Sequence, residues 1–186
     1  MEAEIFLVRH PPIAGGEGRC YGVLDLPLAL PAANSVASIR AHLPPRFQVW
    51  SSPLRRCLDL AKALADADEV RPHPGLREMN FGDWEGLNWA DIPRAELESW
   101  AANITGYRPP GGESAEEMQA RALVALREIR ASPSPLPRVC VTHAGVIRAL
   151  VAAQQGLPPA RWLDIRPAYG EVLRLASEQG DVSGAV

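Results

Sequence analysis

The chain has 186 residues, of which 47% are hydrophobic and 22% are charged, and its formal net charge is −3. This composition is typical of soluble globular proteins and excludes disordered and fibrous ones. Because basic residues are not in surplus, the chain has no extended positive electrostatic potential that would attract nucleic acid. A small anionic ligand is compatible with this charge. The length fits one folded unit, so we predict a single domain over residues 1–186.

The cysteines and the N-terminus narrow the class further. Three cysteines are an odd number, they form no CxxC pair, and no pair among them and the four histidines has the close spacing of metal ligands. We therefore expect no disulfide framework, no metal and no cofactor. Glu2 and Glu4 follow Met1 directly, which does not fit a signal peptide, and no run of about 18 apolar residues occurs. We expect a cytoplasmic protein without a membrane partner.

The pattern of apolar residues predicts strands that alternate with helices. In chain order the predicted elements are a strand at residues 3–8, a helix at 32–43, a strand at 47–50, a helix after Pro53, a strand at 69–71, a helix at about 115–130, a strand at 138–142, a helix at 146–155 and a strand at 170–175. Ser52 is the predicted N-cap of the helix after Pro53. Ser114 and Glu117 are predicted to form a capping box at the start of the helix at about 115–130. The alternation predicts an α/β fold with a mostly parallel sheet flanked by helices.

Polar side chains follow three of the predicted strands. Arg9 and His10 follow the first, Ser51–Arg56 follows the second, and Thr142 and His143 follow the strand at 138–142. Because ligands of open α/β sheets bind beyond the carboxyl ends of the strands, we expect these groups to meet. The glycine-rich loop at residues 11–22 ends at the same edge. Arginine and histidine side chains in this arrangement favour a dianion, and phosphate is the obvious one.

Five segments of the chain resemble, in order and spacing, the motifs of the histidine phosphatase superfamily, in its phosphoglycerate mutase-like branch. They are LVRH at 7–10, SSPLRR at 51–56, LREMNFGDWEG at 76–86, PGGES at 110–114 and VTHAG at 141–145. The resemblance covers nearly the whole chain and implies one histidine phosphatase domain with a three-layer sandwich fold. Within the branch, the segments at 19–28, 76–86 and 141–150 resemble most the alpha-ribazole phosphatases.

The resemblance implies a role for each matching catalytic residue. His10 would be the nucleophile, and its attack on phosphorus would give a phosphohistidine that water later hydrolyses. Arg9, Arg56 and a protonated His143 would hold the phosphoryl oxygens and stabilise the charge of the transferring group. Glu78 would protonate the leaving group, which requires a pKa raised toward neutrality. Arg56, and not its neighbour, occupies the family position.

Further residues would contact the phosphate itself. Tyr21 matches the family's phosphate-contacting loop, as does Gly22, which would act through its backbone N–H. The N–H groups of Ala144 and Gly145 open the helix that follows the strand at 138–142, and the unpaired amides of a helix start attract anions. The chain departs from the family pattern after His10, where Pro11 and Pro12 stand and where Pro11 has no N–H to offer.

These observations leave several functions open. The leading expectation is a metal-independent phosphomonoesterase that hydrolyses alpha-ribazole 5'-phosphate in cobalamin biosynthesis. The alternatives are a phosphatase of another small phosphorylated metabolite, a phosphoglycerate mutase-like enzyme, and a non-catalytic phosphate-binding regulatory module. The expected partner is a small phosphorylated metabolite. The oligomeric state is open, and a homodimer is compatible with the sequence.

Some residues outside the motifs have plainer explanations. We expect His42 and His73 at the surface, and we expect Trp84, Trp89 and Trp100 to pack as core or as a cover over the site, with stacking on a substrate as the alternative. Three arginines are expected to be solvated or salt-bridged, and one of them could instead reach the far end of a substrate. They are Arg108, Arg148 and Arg166.

Overall fold

The computed structural model describes residues 4–65 and 69–176, and in this part of the chain five strands form one sheet. The strands are β1 (Ile5–Arg9), β2 (Gln48–Ser51), β3 (Val70–Pro72), β4 (Arg138–Thr142) and β5 (Val172–Leu175), in the order β3-β2-β4-β1-β5. The first four pair in parallel, and β5 runs antiparallel to β1. The predicted mostly parallel sheet is therefore confirmed.

Helices connect the strands as the alternation predicts, with one addition. They are α1 (Ala33–Arg40), α2 (Arg55–Leu64), α3 (Arg94–Ala102), α4 (Ala115–Ala131) and α5 (Ala144–Gln154). Short 3-10 turns lie at Pro74–Leu76, Gly82–Trp84, Trp89–Asp91 and Pro159–Asp164. The helix α3 was not predicted from the sequence, because none of its residues is fully buried and it lacks the strong apolar stripe by which a helix is recognised.

The helices cover both faces of the sheet. On one face α4 and α5 pack against the side chains of Ile5, Leu7 and Cys140, and on the other α1 and α2 pack against those of Val8 and Val139. All five residues of β4 are buried, as expected for a central parallel strand that is covered on both sides. This arrangement is the expected three-layer sandwich.

The two predicted helix starts have different outcomes. At α4 the capping box is present, since the Glu117 N–H donates to Ser114 Oγ (3.2 Å) and the Ser114 N–H donates to Glu117 Oε2 (2.8 Å). At α2 the predicted N-cap is wrong, because Leu54 is extended and the helix begins at Arg55. Ser52 Oγ accepts the Leu54 N–H (3.3 Å) but also contacts a histidine of the site.

A small aromatic cluster lies beyond the main core. Trp84 is almost fully buried with Cys20 and Ile92, and Trp89, Trp100 and Tyr107 pack around them. The indoles of Trp89 and Trp100 are stacked, with ring centroids 5.6 Å apart and planes at 14°. The three tryptophans therefore pack as predicted, and stacking on a substrate stays the alternative for Trp89 and Trp100.

Two findings bear on membranes and metals. In residues 4–65 and 69–176 no helix is both long enough and apolar enough to cross a membrane. The same residues contain no group of three or more His, Cys, Asp and Glu side chains placed to hold a metal ion. The cytoplasmic location, the single-domain organisation and the oligomeric state stay predictions.

Candidate active site

The parallel register brings two of the predicted histidines together at the carboxyl edge of the sheet. The His10 N–H donates to the carbonyl of Thr142 (3.1 Å), so the residues that follow β1 and β4 lie side by side. The Ser52 N–H donates to the carbonyl of Val141 (2.9 Å), so the end of β2 lies beside the same residues. The rings of His10 and His143 are 5.2 Å apart between centroids, at an angle of 65°.

The environment of His10 leaves one ring nitrogen for chemistry. Nδ1 lies 2.7 Å from the carbonyl oxygen of Pro11, and a carbonyl only accepts, so Nδ1 carries the proton. The pKa of His10 is lowered to about 3, chiefly by burial and also by the charges of Arg56 and Arg9, while the bond to Pro11 opposes this shift. The imidazole is therefore neutral near pH 7, and Nε2 has a lone pair. Pro11 lacks the N–H of the family pattern, but its carbonyl orients the ring.

His143 is held from both sides. The guanidinium Nε–H of Arg56 donates to Nδ1 (3.2 Å), so Nε2 carries the proton and donates to Ser52 Oγ (2.8 Å). Burial lowers the pKa of His143 well below its ordinary value, and the charge of Arg56 adds to this effect. His143 is therefore neutral in this geometry, and its protonation during the reaction stays a prediction.

Arg56 and Arg55 occupy opposite environments. Arg56 is fully buried, and besides His143 it donates to the carbonyls of Leu24 (2.9 Å) and Gly22 (2.5 Å). Arg55 lies at the surface, 3.6 Å from Asp59. In the described part of the chain Arg56 has no carboxylate partner, so its buried charge suits an anion. Direct contact between Arg56 and phosphate stays a prediction.

Arg9 is fixed by a tyrosine that the sequence analysis missed. Its guanidinium carbon lies 3.7 Å from the ring centroid of Tyr169, and its Nη1 donates to the carbonyl of Pro167 (2.8 Å). The hydroxyls of Tyr169 and Tyr21 are 3.1 Å apart, and burial raises the pKa of Tyr21 to about 12. Since β5 is antiparallel to β1, the turn before it lies at the carboxyl edge, and the sequence pattern gave no signal of this reversal.

Glu78 faces the same site from the segment after Pro74–Leu76. Its Oε2 accepts the N–H of Gly145 (3.0 Å), and its Oε1 accepts the N–H of Met79 (3.0 Å). The Gly145 N–H is thus bonded to Glu78 in this geometry. Ala144 and Gly145 both line the cavity, and their contact with phosphate stays a prediction. The proton-transfer role of Glu78 stays a prediction.

The N–H of Gly22 also has a partner within the protein, Glu85, which the sequence did not single out. This N–H donates to Glu85 Oε2 (2.9 Å) in this geometry, and its contact with phosphate stays a prediction. The same carboxylate accepts three more backbone N–H groups, those of Val23, Leu24 and Phe81. A Cβ at position 22 would stand 1.7 Å from the carbonyl oxygen of Met79, which explains the glycine.

A cavity of about 280 Å³ opens beside the histidines. It is lined by His10, Arg9, Glu78 and Tyr21 and by residues of the aromatic cluster, among them Trp89 and Trp100. Arg56 and His143 are not among its lining residues. The cavity thus combines cationic and polar groups with an apolar, aromatic wall, as expected for a pocket that binds a small metabolite.

Comparison with known proteins places this geometry in a family. The family model described as histidine phosphatase superfamily (branch 1) matches residues 5–183. The chain belongs to this superfamily. A glucosyl-3-phosphoglycerate phosphatase of Mycobacterium tuberculosis is 39% identical over 183 residues, with 89% of this chain and 79% of that protein covered. An adenosylcobalamin/alpha-ribazole phosphatase of Salmonella typhimurium is 27% identical over 175 residues, with 89% and 86% covered.

Comparison with solved structures agrees with the sequence comparison. A mycobacterial glucosyl-3-phosphoglycerate phosphatase in complex with VO3 superposes with a TM-score of 0.77 at 32% identity, over 94% of this chain and 92% of that one. The superfamily and its phosphatase relatives make this chain a phosphoric monoester hydrolase with a phosphoglycerate mutase-like fold. The predicted nearness to alpha-ribazole phosphatases is corrected, because the glucosyl-3-phosphoglycerate phosphatases are more similar.

Proposed function

We propose that the protein is a metal-independent phosphomonoesterase that acts through a phosphohistidine on His10. The observation that supports this most is the tautomer of His10, whose Nδ1–H is bonded to the Pro11 carbonyl while the other nitrogen keeps its lone pair. A neutral imidazole that is oriented in this way at a cavity is a nucleophile ready to attack. A residue that only bound phosphate would gain from being charged.

Each step of the proposed reaction has a group to perform it. His10 Nε2 attacks phosphorus while the ester P–O bond breaks, and the leaving oxygen takes a proton from Glu78. Water then attacks the phosphohistidine, gives its proton to Glu78 and releases orthophosphate and neutral His10. Arg9, stacked on Tyr169, and the buried Arg56 stabilise the charge of the phosphoryl group during both displacements.

For the substrate, we favour glucosyl-3-phosphoglycerate or a related phosphorylated acid. The support is the 39% identity to the Mycobacterium tuberculosis phosphatase of that name. Alpha-ribazole 5'-phosphate is the second candidate, since the aromatic wall of Trp89 and Trp100 offers flat apolar surface to a heteroaromatic leaving group. The two candidates differ in charge beyond the phosphate, which an experiment can separate.

The test is orthophosphate release in the presence of a metal chelator, from both candidate substrates and from an aryl phosphate. We expect wild type to release phosphate and His10→Ala to lose at least about 1000-fold in kcat, because without the nucleophile only binding groups remain. His42→Ala, at an exposed histidine, is the matched control and should behave as wild type. Rapid quenching should trap acid-labile phosphate on wild type and none on His10→Ala.

Two results would contradict the proposal. Turnover that requires an added divalent ion would remove the metal-independent mechanism. Tight binding of phosphate esters without release of phosphate, equal in wild type and His10→Ala, would favour the non-catalytic phosphate-binding module instead. A preference for one candidate substrate over the other decides between the substrates and leaves the mechanism as proposed.

A further inference from the structure

Arg148 lies in the candidate active site without a role in the proposed reaction. It stands on α5 four residues after Ala144, so the two lie on one face of the helix, with about 6 Å of rise between them. Both line the cavity that His10 and Glu78 share. The other two arginines without a motif differ from it, since Arg108 pairs with Glu117 and Arg166 is exposed.

The contacts of Arg148 leave most of its guanidinium available. Its Nε donates to the carbonyl of Ile165 (3.1 Å), which ties α5 to the segment after Pro159–Asp164. Among residues 4–65 and 69–176, no carboxylate lies within ion-pair distance of it. Burial lowers the pKa of Arg148, although the charge of Glu78 opposes this. A half-buried cation without a carboxylate partner is costly unless an anion compensates it.

The charges around the cavity do not balance with a phosphoryl group alone. The charged side chains that line it are Arg9, Arg19, Arg148 and Glu78. The proposed reaction uses Arg9, which is stacked on Tyr169, and the buried Arg56 for the phosphoryl group. Arg148 lies farther along α5, and the exposed Arg19 lines the same cavity. Counted together with the buried Arg56, these groups exceed Glu78 and a phosphoryl dianion by one positive charge, which one further anionic group on the ligand would balance.

We propose that Arg148 binds a carboxylate on the leaving group, so that the substrates are phosphate monoesters of hydroxy acids. The inference rests on the proposed phosphatase function and names the substrate class of the same site. The guanidinium fork matches a carboxylate with two parallel hydrogen bonds. With the phosphoryl group between His10 and Ala144, a short carbon chain would span the one helical turn from Ala144 to Arg148, and the aromatic wall would contact whatever the acid carries beyond.

The competing explanation is that Arg148 acts on Glu78 through its charge. In that case the residue would affect proton transfer for every ester to the same extent. If it binds the substrate, it affects only those esters that carry the carboxylate. A pair of esters that differ in this group alone therefore separates the two roles.

The experiment measures kcat/KM for 3-phosphoglycerate and for glycerol 3-phosphate, in which a hydroxymethyl group replaces the carboxylate. We expect wild type to prefer the acid roughly 10- to 100-fold, the range for a hydrogen-bonded charged contact. In Arg148→Met this ratio should fall toward one, and in Arg148→Lys it should be intermediate. Arg166→Met is the matched control, because Arg166 also donates its Nε to a backbone carbonyl nearby and should leave the ratio unchanged.

Several outcomes would overturn the inference. A wild-type ratio near one does so without any variant, even if Arg148→Met fails to fold. An equal loss on both esters in Arg148→Met, with a shifted pH profile, assigns the residue to Glu78. Failure of the proposed function looks different, because wild type would then hydrolyse neither ester or His10→Ala would match it.

Discussion

Two adjacent arginines show how much the environment of a residue decides. Arg55 and Arg56 are identical in sequence terms, yet one pairs with Asp59 at the surface and the other is fully buried. The guanidinium of Arg56 joins the His143 ring to two carbonyls of the loop at residues 20–25. A lysine cannot reproduce this arrangement, because its ammonium is a single point of charge on a flexible stem.

We predict that Arg56→Lys lowers kcat/KM for an aryl phosphate by about 100-fold or more, from lost electrostatic stabilisation of the transferring group. Arg55→Lys should stay within about threefold of wild type, since exposed ion pairs contribute little. Steady-state kinetics of both variants, with thermal unfolding measured in parallel, tests this. Equal losses in the two variants, or a loss in Arg56→Lys explained by unfolding alone, would refute the assignment.

At the scale of elements, the loop at residues 20–25 depends on one carboxylate. Glu85 accepts the backbone N–H groups of Gly22, Val23 and Leu24 from this loop and that of Phe81 from its own segment. The carbonyls of the same loop accept from Arg56. Glu85 thus positions the loop, and the loop in turn positions Arg56 and Tyr21. A carboxylate suits this task because it only accepts hydrogen bonds.

Glu85→Gln should therefore lower both stability and activity. The amide group of glutamine brings N–H donors against backbone N–H donors, and we expect a loss of about 2 kcal/mol in the free energy of unfolding. Catalysis should fall with it, because the acceptors of Arg56 move. Urea unfolding and kcat/KM for an aryl phosphate measure the two effects. Glu17→Gln, at an exposed acid, is the control, and a Glu85→Gln protein as stable and as active as that control would be the contrary result.

The elements also show what the sequence can predict. The buried strand β4 was predicted with its observed bounds, because a covered parallel strand is a run of apolar residues between turn signals. The helix α3 was missed because none of its residues is fully buried. Tyr169 and Glu85 were missed because their partners are distant in the chain, at Arg9 and at Gly22, and only the folded backbone brings them together.

At the scale of the whole molecule, the two site histidines link folding to pH. Both are buried and neutral, with the pKa of His10 at about 3 and that of His143 well below its ordinary value. In the unfolded chain a histidine titrates near 6.5. Between these values the unfolded state binds more protons than the folded state, so stability falls as the pH falls below about 6.5. Above that pH the contribution is constant.

We predict that the free energy of unfolding decreases between pH 6 and 4, with a contribution from His10 of about 1.4 kcal/mol per pH unit. His10→Asn keeps a donor for the Pro11 carbonyl but has no group that titrates in this range, so its slope should be smaller by that amount. Urea unfolding of both proteins at several pH values, in phosphate-free buffer, gives the two slopes. His42→Asn, at an exposed histidine, should keep the wild-type slope. Equal slopes for wild type and His10→Asn would mean that His10 takes up its proton in the folded protein. The neutral nucleophile on which the proposed mechanism depends would then be lost at mildly acidic pH.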